Sequence, residues 1–304
     1  MNENYHNAAR LLLEVAPVVF KHPHFILKGG TAINLFVRNM PRLSIDLDVV
    51  FANHTMDRNE ALEHISSTLE SIRTELENKF NLRCELGAMN QGSEVKLFVE
   101  SALTRVKIEV NHVFRGTILP PTVRPLAEEA QEIFFTDIAL PILHPEELYG
   151  SKLVAVMDRQ HPRDLFDALC LINEECLNES IVECFVCYLA GHNRPVHEVL
   201  FANLIDIAPA FTHEFEGMTR ETVSFDQLLE LRKHLFADLP EKLTDAHRQF
   251  LLGLVKCQPD WSLMKCNHLQ HLPAIRWKLE NLNRLRHSNP KKFSLQAEIL
   301  KEKL

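Results

Sequence analysis

The sequence predicts an α+β protein: an N-terminal mixed sheet with helices, followed by a purely helical half. Three observations carry that expectation. Residues 25–51, FILKGGTAINLFVRNMPRLSIDLDVVF, read as strand, glycine turn, helix and strand in immediate succession. Three further strand-like runs, at 82–86, 94–100 and 105–113, follow a long amphipathic segment. From Pro145 onward the periodicity is helical throughout, which places a boundary near residue 143 between a 1–143 α/β domain and a 144–304 helical domain.

Each element has a local reason. Residues 4–20 carry apolar positions at helical spacing, with Pro17 expected to disturb the helix. Phe25-Ile26-Leu27 is a short apolar run that suits a buried strand, and Ile33, Leu35, Phe36 and Val37 suit an amphipathic helix. Past Pro41 the chain alternates, so Asp46 and Asp48 share one strand face while Ile45, Leu47 and Val49 share the other. Asp57 is placed as the N-cap of a helix to about Phe80, with Leu62, Ile65, Leu69, Ile72 and Leu76 at helical spacing. Residues 105–110 alternate again, putting Arg105, Lys107 and Glu109 opposite Val106, Ile108 and Val110. Gly92-Ser93 and residues 102–104 are the turn candidates. Pro120 to Pro125 reads as a loop and 136–143 as a short strand. Helices are expected over 145–158, from Pro162 as first helical residue, and over 178–190, 196–205, 225–238, 244–257, 272–287 and 294–303, with Thr244 and Ser294 as caps.

Composition narrows the class. In 304 residues there is no 18-residue apolar run, and the first twenty residues lack a basic region, so neither a membrane span nor a signal peptide is expected. Seven cysteines without regular spacing suit reduced thiols, and the expected location is the cytoplasm. The net charge of −8 is uneven: residues 265–304 hold nine Lys/Arg against three Glu. A basic stretch from Arg276 to Lys292 on an acidic body is a candidate contact for a nucleic-acid backbone.

The chemistry concentrates in residues 25–51. A Gly29-Gly30-Thr31 turn between strand and helix presents backbone N–H groups where phosphate binds. Carboxylates two residues apart on a strand, Asp46 and Asp48, can share divalent metal. Side by side these are the parts of a metal-dependent site for a nucleoside triphosphate. No Walker A loop, nucleophile elbow or HExxH pair competes with that reading. Cys184 and Cys187, with Cys170 and Cys176 nearby, lack the compact spacing of a zinc site, as do Cys257, Cys266, His268 and His271.

The order of these motifs resembles the nucleotidyltransferase fold of DNA polymerase beta. More narrowly, LKGGTAINLF, RLSIDLDVVF and KLVAVMDRQHPRDLFDAL resemble the nucleotidyltransferases of the AbiEii/AbiGii toxin family, including MenT-like toxins, over roughly residues 20–175. The resemblance implies transfer of a nucleoside monophosphate from an NTP to an acceptor hydroxyl, with pyrophosphate released. It implies Mg²⁺ (or Mn²⁺) on Asp46 and Asp48, with a third carboxylate at Glu109 or, as its rival, Glu100. Gly29, Gly30 and Thr31 would hold the outer phosphates, and Ser44 would touch phosphate or metal-bound water. Lys152 would reach the triphosphate from the helical domain, with Asp164 orienting it or the base. Arg163 and Arg42 would pair with either phosphate or carboxylate. Growth inhibition, a tRNA acceptor and a cognate antitoxin are further implications. Two rival readings are a small-molecule or protein acceptor, and a catalytically silent NTP-binding module.

Overall fold

Helix α1 (Glu3–Phe20) runs unbroken through Pro17, although a proline there cannot donate the N–H that a helix interior normally uses. Its buried stripe of Leu12, Val15, Ala16 and Val19 supplies the compensating packing. The computed structural model describes residues 3–87, 95–173 and 177–304. The turn expected at Gly92-Ser93, the strand start at Glu94, and Cys176 lie outside the described residues.

Strand β1 (Phe25–Lys28) leads into the short helix α2 (Gly29–Ala32), which continues as a π turn over Ile33–Val37. Strand β2 (Asp46–Phe51) returns antiparallel to β1, with Lys28 opposite Asp48. Helix α3 (Arg58–Phe80) begins where expected: the Asp57 carboxylate accepts from Asn59 N at 2.7 Å and Glu60 N at 2.9 Å. Strands β3 (Arg83–Leu86), β4 (Val95–Glu100) and β5 (Arg105–Asn111) follow, then β6 (Thr122–Pro125), helix α4 (Glu128–Phe134) and β7 (Ala139–Ile142). They form one seven-stranded mixed sheet in the order β3-β4-β5-β2-β1-β7-β6. Strand β2 is parallel to β5 because α3 crosses over between them. Helices α1 and α3 pack on the sheet over the apolar sides of these strands, where Leu47, Val49, Val106, Ile108 and Val110 are buried.

Two expectations change here. The proline-rich stretch at 120–125 is not all loop, because Thr122–Pro125 pairs antiparallel with β7 as an edge strand. An edge needs backbone donors on one side only, so proline is tolerated there. Helix α4, unannounced by a long apolar pattern, occupies only seven residues.

The described residues divide into two compact units: Met1–Leu148 with Gly217–Thr222, and Tyr149–Glu216 with Val223–Leu304. From Pro145 on they form helices with no further strand: α5 (Pro145–Arg159), α6 (Pro162–Asn173), α7 (Glu179–Ala190), α8 (Val196–Leu200), α9 (Ala208–Glu214), α10 (Phe225–Glu241), α11 (Asp245–Val255), α12 (Pro273–Ser288) and α13 (Pro290–Lys303). In the second unit α7 is buried on every side from Ile181 to Ala190. The carboxylate inside that buried stretch, Glu183, accepts from Lys265 N at 2.7 Å and meets His247 Nε2 at 2.9 Å. Thr244 caps α11 as expected. The helix expected over 196–205 stops at Leu200, since Asn203 O and Ile205 N hydrogen-bond instead to the Gln160 side chain. The last helix starts at Pro290 and not at Ser294; the Asn289 side chain accepts from Lys292 N, and proline suits the first helical position.

Candidate active site

The hinge between β1 and α2 closes on the acidic strand. Gly29 has φ +76°, a left-handed conformation that glycine adopts without penalty. A Cβ at that position would stand 2.2 Å from Asp48 Oδ2, so the carboxylate lies directly against the turn. A Cβ on Gly30 would meet Arg42 Nη2 at 2.6 Å and Ser44 Oγ at 3.0 Å. Thr31 is buried and donates its hydroxyl proton to Asp46 O at 2.5 Å, with Ser44 Oγ 3.0 Å away. Gly29, Gly30, Thr31, Arg42, Ser44 and Asp48 are thereby gathered at one corner of the first unit. Arg42 itself is held by an unexpected segment: it bridges Thr219, Leu43 N donates to Met218 O at 3.3 Å, and Arg220 N donates to Pro41 O at 3.0 Å.

Strand register decides which later carboxylate joins them. In the parallel β2–β5 pair Asp46 lies opposite Lys107 and Asp48 opposite Glu109. Glu100 lies opposite Arg105, four residues along β5 from Glu109, or about 13 Å at strand rise. Of these two glutamates, the register sets Glu109 beside Asp48. Two lysines share this polar face. Lys107 Nζ sits 2.5 Å from Glu109 Oε2 and 3.9 Å from Asp46 Oδ1, and Lys96 Nζ sits 3.3 Å from Glu109 Oε1. Among the described residues no three His, Cys, Asp or Glu side chains converge closely enough, as placed, to hold a metal ion. Sequence reasoning left Lys96 and Lys107 out of the site. The signal for Lys107 was available, since it stands two residues before Glu109 on the same strand face.

In the second unit Lys152 of α5 is buried and not a solvated surface lysine. Its Nζ lies 2.9 Å from Asp164 Oδ1 and 3.0 Å from Asp167 Oδ2, both on α6, and Arg159 Nη2 lies 2.8 Å from Asp164 Oδ2. Burial pushes the Asp164 carboxyl up, but Lys152 and Arg159 beside it, with the Lys152 hydrogen bond, more than offset this and hold it below its ordinary value of 3.8. Asp167 was quoted in the motif without a role, yet it is the more deeply buried partner. Its spacing, three residues after Asp164 on one helix face, was the available sign. Arg163 does not join this cluster through its side chain; its Nη2 lies 3.8 Å from Glu214, on which His161 also converges.

The basic stretch needs one correction. Lys278 is buried and donates to His192 O at 2.8 Å and Arg194 O at 2.6 Å, so it cannot face a ligand in solution. Arg276, Arg284, Arg286, Lys291 and Lys292 are exposed, as is Trp277, with the Arg284 guanidinium 5.6 Å from its ring centroid.

The family model described as nucleotidyl transferase AbiEii toxin, type IV toxin–antitoxin system, matches residues 10–281. Among solved structures, MenT4, a nucleotidyltransferase toxin from Mycobacterium tuberculosis, is similar with a TM-score of 0.60 at 16% identity, over 93% of this chain and 94% of the other. At that identity the likeness speaks for the fold. Comparison with curated protein sequences finds no match.

Proposed function

The chain belongs to the AbiEii family of nucleotidyltransferase toxins of toxin–antitoxin systems, and from that premise we propose a metal-dependent transfer of a nucleoside monophosphate from an NTP to a hydroxyl of tRNA. The observation that carries this reading is the register of β2 on β5, which sets Asp48 beside Glu109 and against the Gly29 turn. The donor set fits a hard divalent ion: three carboxylates at neighbouring register positions, whose charge two ammonium groups offset only in part. Asp46, Asp48 and Glu109 would hold Mg²⁺ or Mn²⁺. When bound, such ions neutralise the triphosphate and stabilise the charge that develops on the leaving pyrophosphate.

The chain's own groups have separable tasks in this proposal. The Gly29 and Gly30 N–H groups bind the outer phosphates at the start of α2, where a side chain would block approach. Thr31 pins the Asp46 carbonyl and so fixes the hinge against the acidic strand, while Ser44 and Arg42 border the phosphates at Gly30. Glu109 accepts the proton of the acceptor hydroxyl as its oxygen bonds to the α-phosphorus and the bond to pyrophosphate breaks. Lys152, oriented by Asp164, is the cation of a second functional cluster, and Arg163 a half-buried contact for nucleotide or acceptor. The exposed basic residues from Arg276 to Lys292, with Trp277, are proposed to hold the tRNA backbone. Such substrates place the protein in the cytoplasm. The described residues include no helix long and apolar enough to cross a membrane. The family implies a partner antitoxin.

Each NTP in turn, radiolabelled at the α-phosphate, is incubated with Mg²⁺ and separately with total tRNA, total protein and small metabolites. Label is expected on tRNA, with Asp48→Asn lowering the rate about a thousandfold. Label that enters only protein or metabolites overturns the acceptor, and label unaffected by Asp48→Asn or by chelation overturns the site. Substituting Arg286, Lys291 and Lys292 together by Ser should flatten the salt dependence of tRNA binding by about two units of log–log slope while NTP affinity holds.

A further inference from the structure

Both carboxylate oxygens of Glu109 are already engaged. Lys107, from the same strand, takes Oε2 at 2.5 Å and leans toward Asp46 Oδ1 at 3.9 Å; Lys96, from β4, takes Oε1 at 3.3 Å. An ammonium group is a compact cation with three donors and no acceptor. It occupies the side of a carboxylate that a divalent ion would use, and it cannot share that ion's ligand shell. We infer that Lys107 is a positioning residue that makes the divalent ion and the triphosphate bind together and not independently. The inference rests on the proposed role of Asp46, Asp48 and Glu109 as metal ligands.

An ion arriving alone must displace Lys107 from Glu109 and Asp46, leaving a tethered ammonium without its anions beside a newly bound dication. An ion arriving with a triphosphate brings anionic oxygens that accept the released ammonium. The first event is therefore opposed by like-charge repulsion and the second is not, and the difference between them is a coupling free energy that must act equally in both directions. Lys96 stands farther from Glu109, at 3.3 Å against 2.5 Å for Lys107, so its share is smaller. A plain cross-strand ion pair would also place Lys107 beside Glu109, but it would give Lys107 no influence on the way nucleotide changes metal affinity.

Mn²⁺ binding to the full chain is measured by the resonance signal of free Mn²⁺, alone and with each of the four α,β-methylene ribonucleoside triphosphates, so that no turnover occurs. In the wild type, one of the analogues is expected to raise Mn²⁺ affinity about tenfold or more. In Lys107→Met, Mn²⁺ alone should bind about five- to tenfold more tightly, and the gain from nucleotide should shrink to about twofold. Lys107→Arg, which keeps the charge, should retain most of the coupling, and Lys96→Met should fall between. If Lys107→Met leaves both affinities unchanged while Asp48→Asn abolishes Mn²⁺ binding, the inference fails and the metal site stands. If the wild type binds no Mn²⁺ with or without nucleotide, both fall together.

Discussion

Two clusters of lysine with acidic groups, one on the β2–β5 face and one between α5 and α6, differ in almost every physical respect. On the β2–β5 face the side chains of Asp46, Glu109 and Lys107 keep 44%, 14% and 31% of their exposure. In the α5–α6 cluster Lys152, Asp164 and Asp167 keep 8%, 6% and 0%. Water screens the first set, so its ion pairs are weak and exchangeable, as suits groups that must change partners. The second set is dry, so its pairs are hard to break and losing one member strands the others. The lesson is that a charged cluster declares what it can do by its hydration before its composition.

The largest effect should come from breaking the dry cluster. Lys152→Ala leaves two buried carboxylates without their cation, and the expected loss of stability is about 3–5 kcal/mol in urea denaturation. Lys107→Met, in the wet cluster, should change stability by no more than about 0.5 kcal/mol. Equal denaturation midpoints for the two variants would erase the contrast. Because Lys152→Ala weakens the fold, its effect on nucleotidyl transfer is to be measured at a temperature where circular dichroism shows the variant folded.

Next in size is Gly29→Ala. Alanine at φ +76° costs about 1–2 kcal/mol, and its Cβ would push directly on Asp48 Oδ2. The expected outcome is a modest stability loss in the same urea assay with a much larger loss of NTP binding in titration calorimetry. A variant that binds NTP normally would remove the turn from the phosphate site.

Acid should discriminate the clusters as well. The Asp164 carboxyl lies below its ordinary value of 3.8, chiefly through Lys152 and Arg159 acting against burial. Its stabilising share is therefore fully present above that value and is lost as the pH falls through the lower folded value. Asp164→Asn should cost about 1–3 kcal/mol at neutral pH, with the gap to wild type closing only below about pH 4. A gap that stays constant down to pH 2 would show that the carboxyl's charge is not what Lys152 and Arg159 read.

The sequence made the ingredients of both clusters legible, but not their pairing. Alternation alone put Asp46 with Asp48 and Glu109 on polar strand faces. Which residue of β5 sits beside Asp48 is a register fixed across the long α3 crossover, and no local pattern encodes it. The i, i+3 spacing of Asp164 and Asp167 was visible, whereas the burial of Lys152 between them depends on how α5 packs on α6. The segment at 217–222 that braces Arg42 has no apolar period to announce it, since it is joined to residues 41–43 by backbone hydrogen bonds. Ser294 misled as a cap because any serine before a helical run qualifies locally, and Asn289-Pro290 qualified better.

A dry lysine with no carboxylate at ion-pair distance among the described residues completes the comparison. Lys278 is as buried as Lys152, but among the described residues it donates to the carbonyls of His192 and Arg194 and to no carboxylate. Burial therefore prevails, with Glu198 opposing it only in part, and lowers Lys278 to about 8 from 10.5. The folded value lies below the unfolded one, so between them the unfolded chain holds a proton that the folded chain has released. Stability should accordingly rise with pH from about 8 to 10.5 and gain nothing from this group below 8. Lys278→Met should flatten that rise in urea midpoints, and the ¹³Cε resonance of Lys278 should titrate near 8. A midpoint above 10 would mean that two carbonyl dipoles suffice to keep a buried ammonium charged, and carboxylates would then not be what distinguishes the α5–α6 cluster.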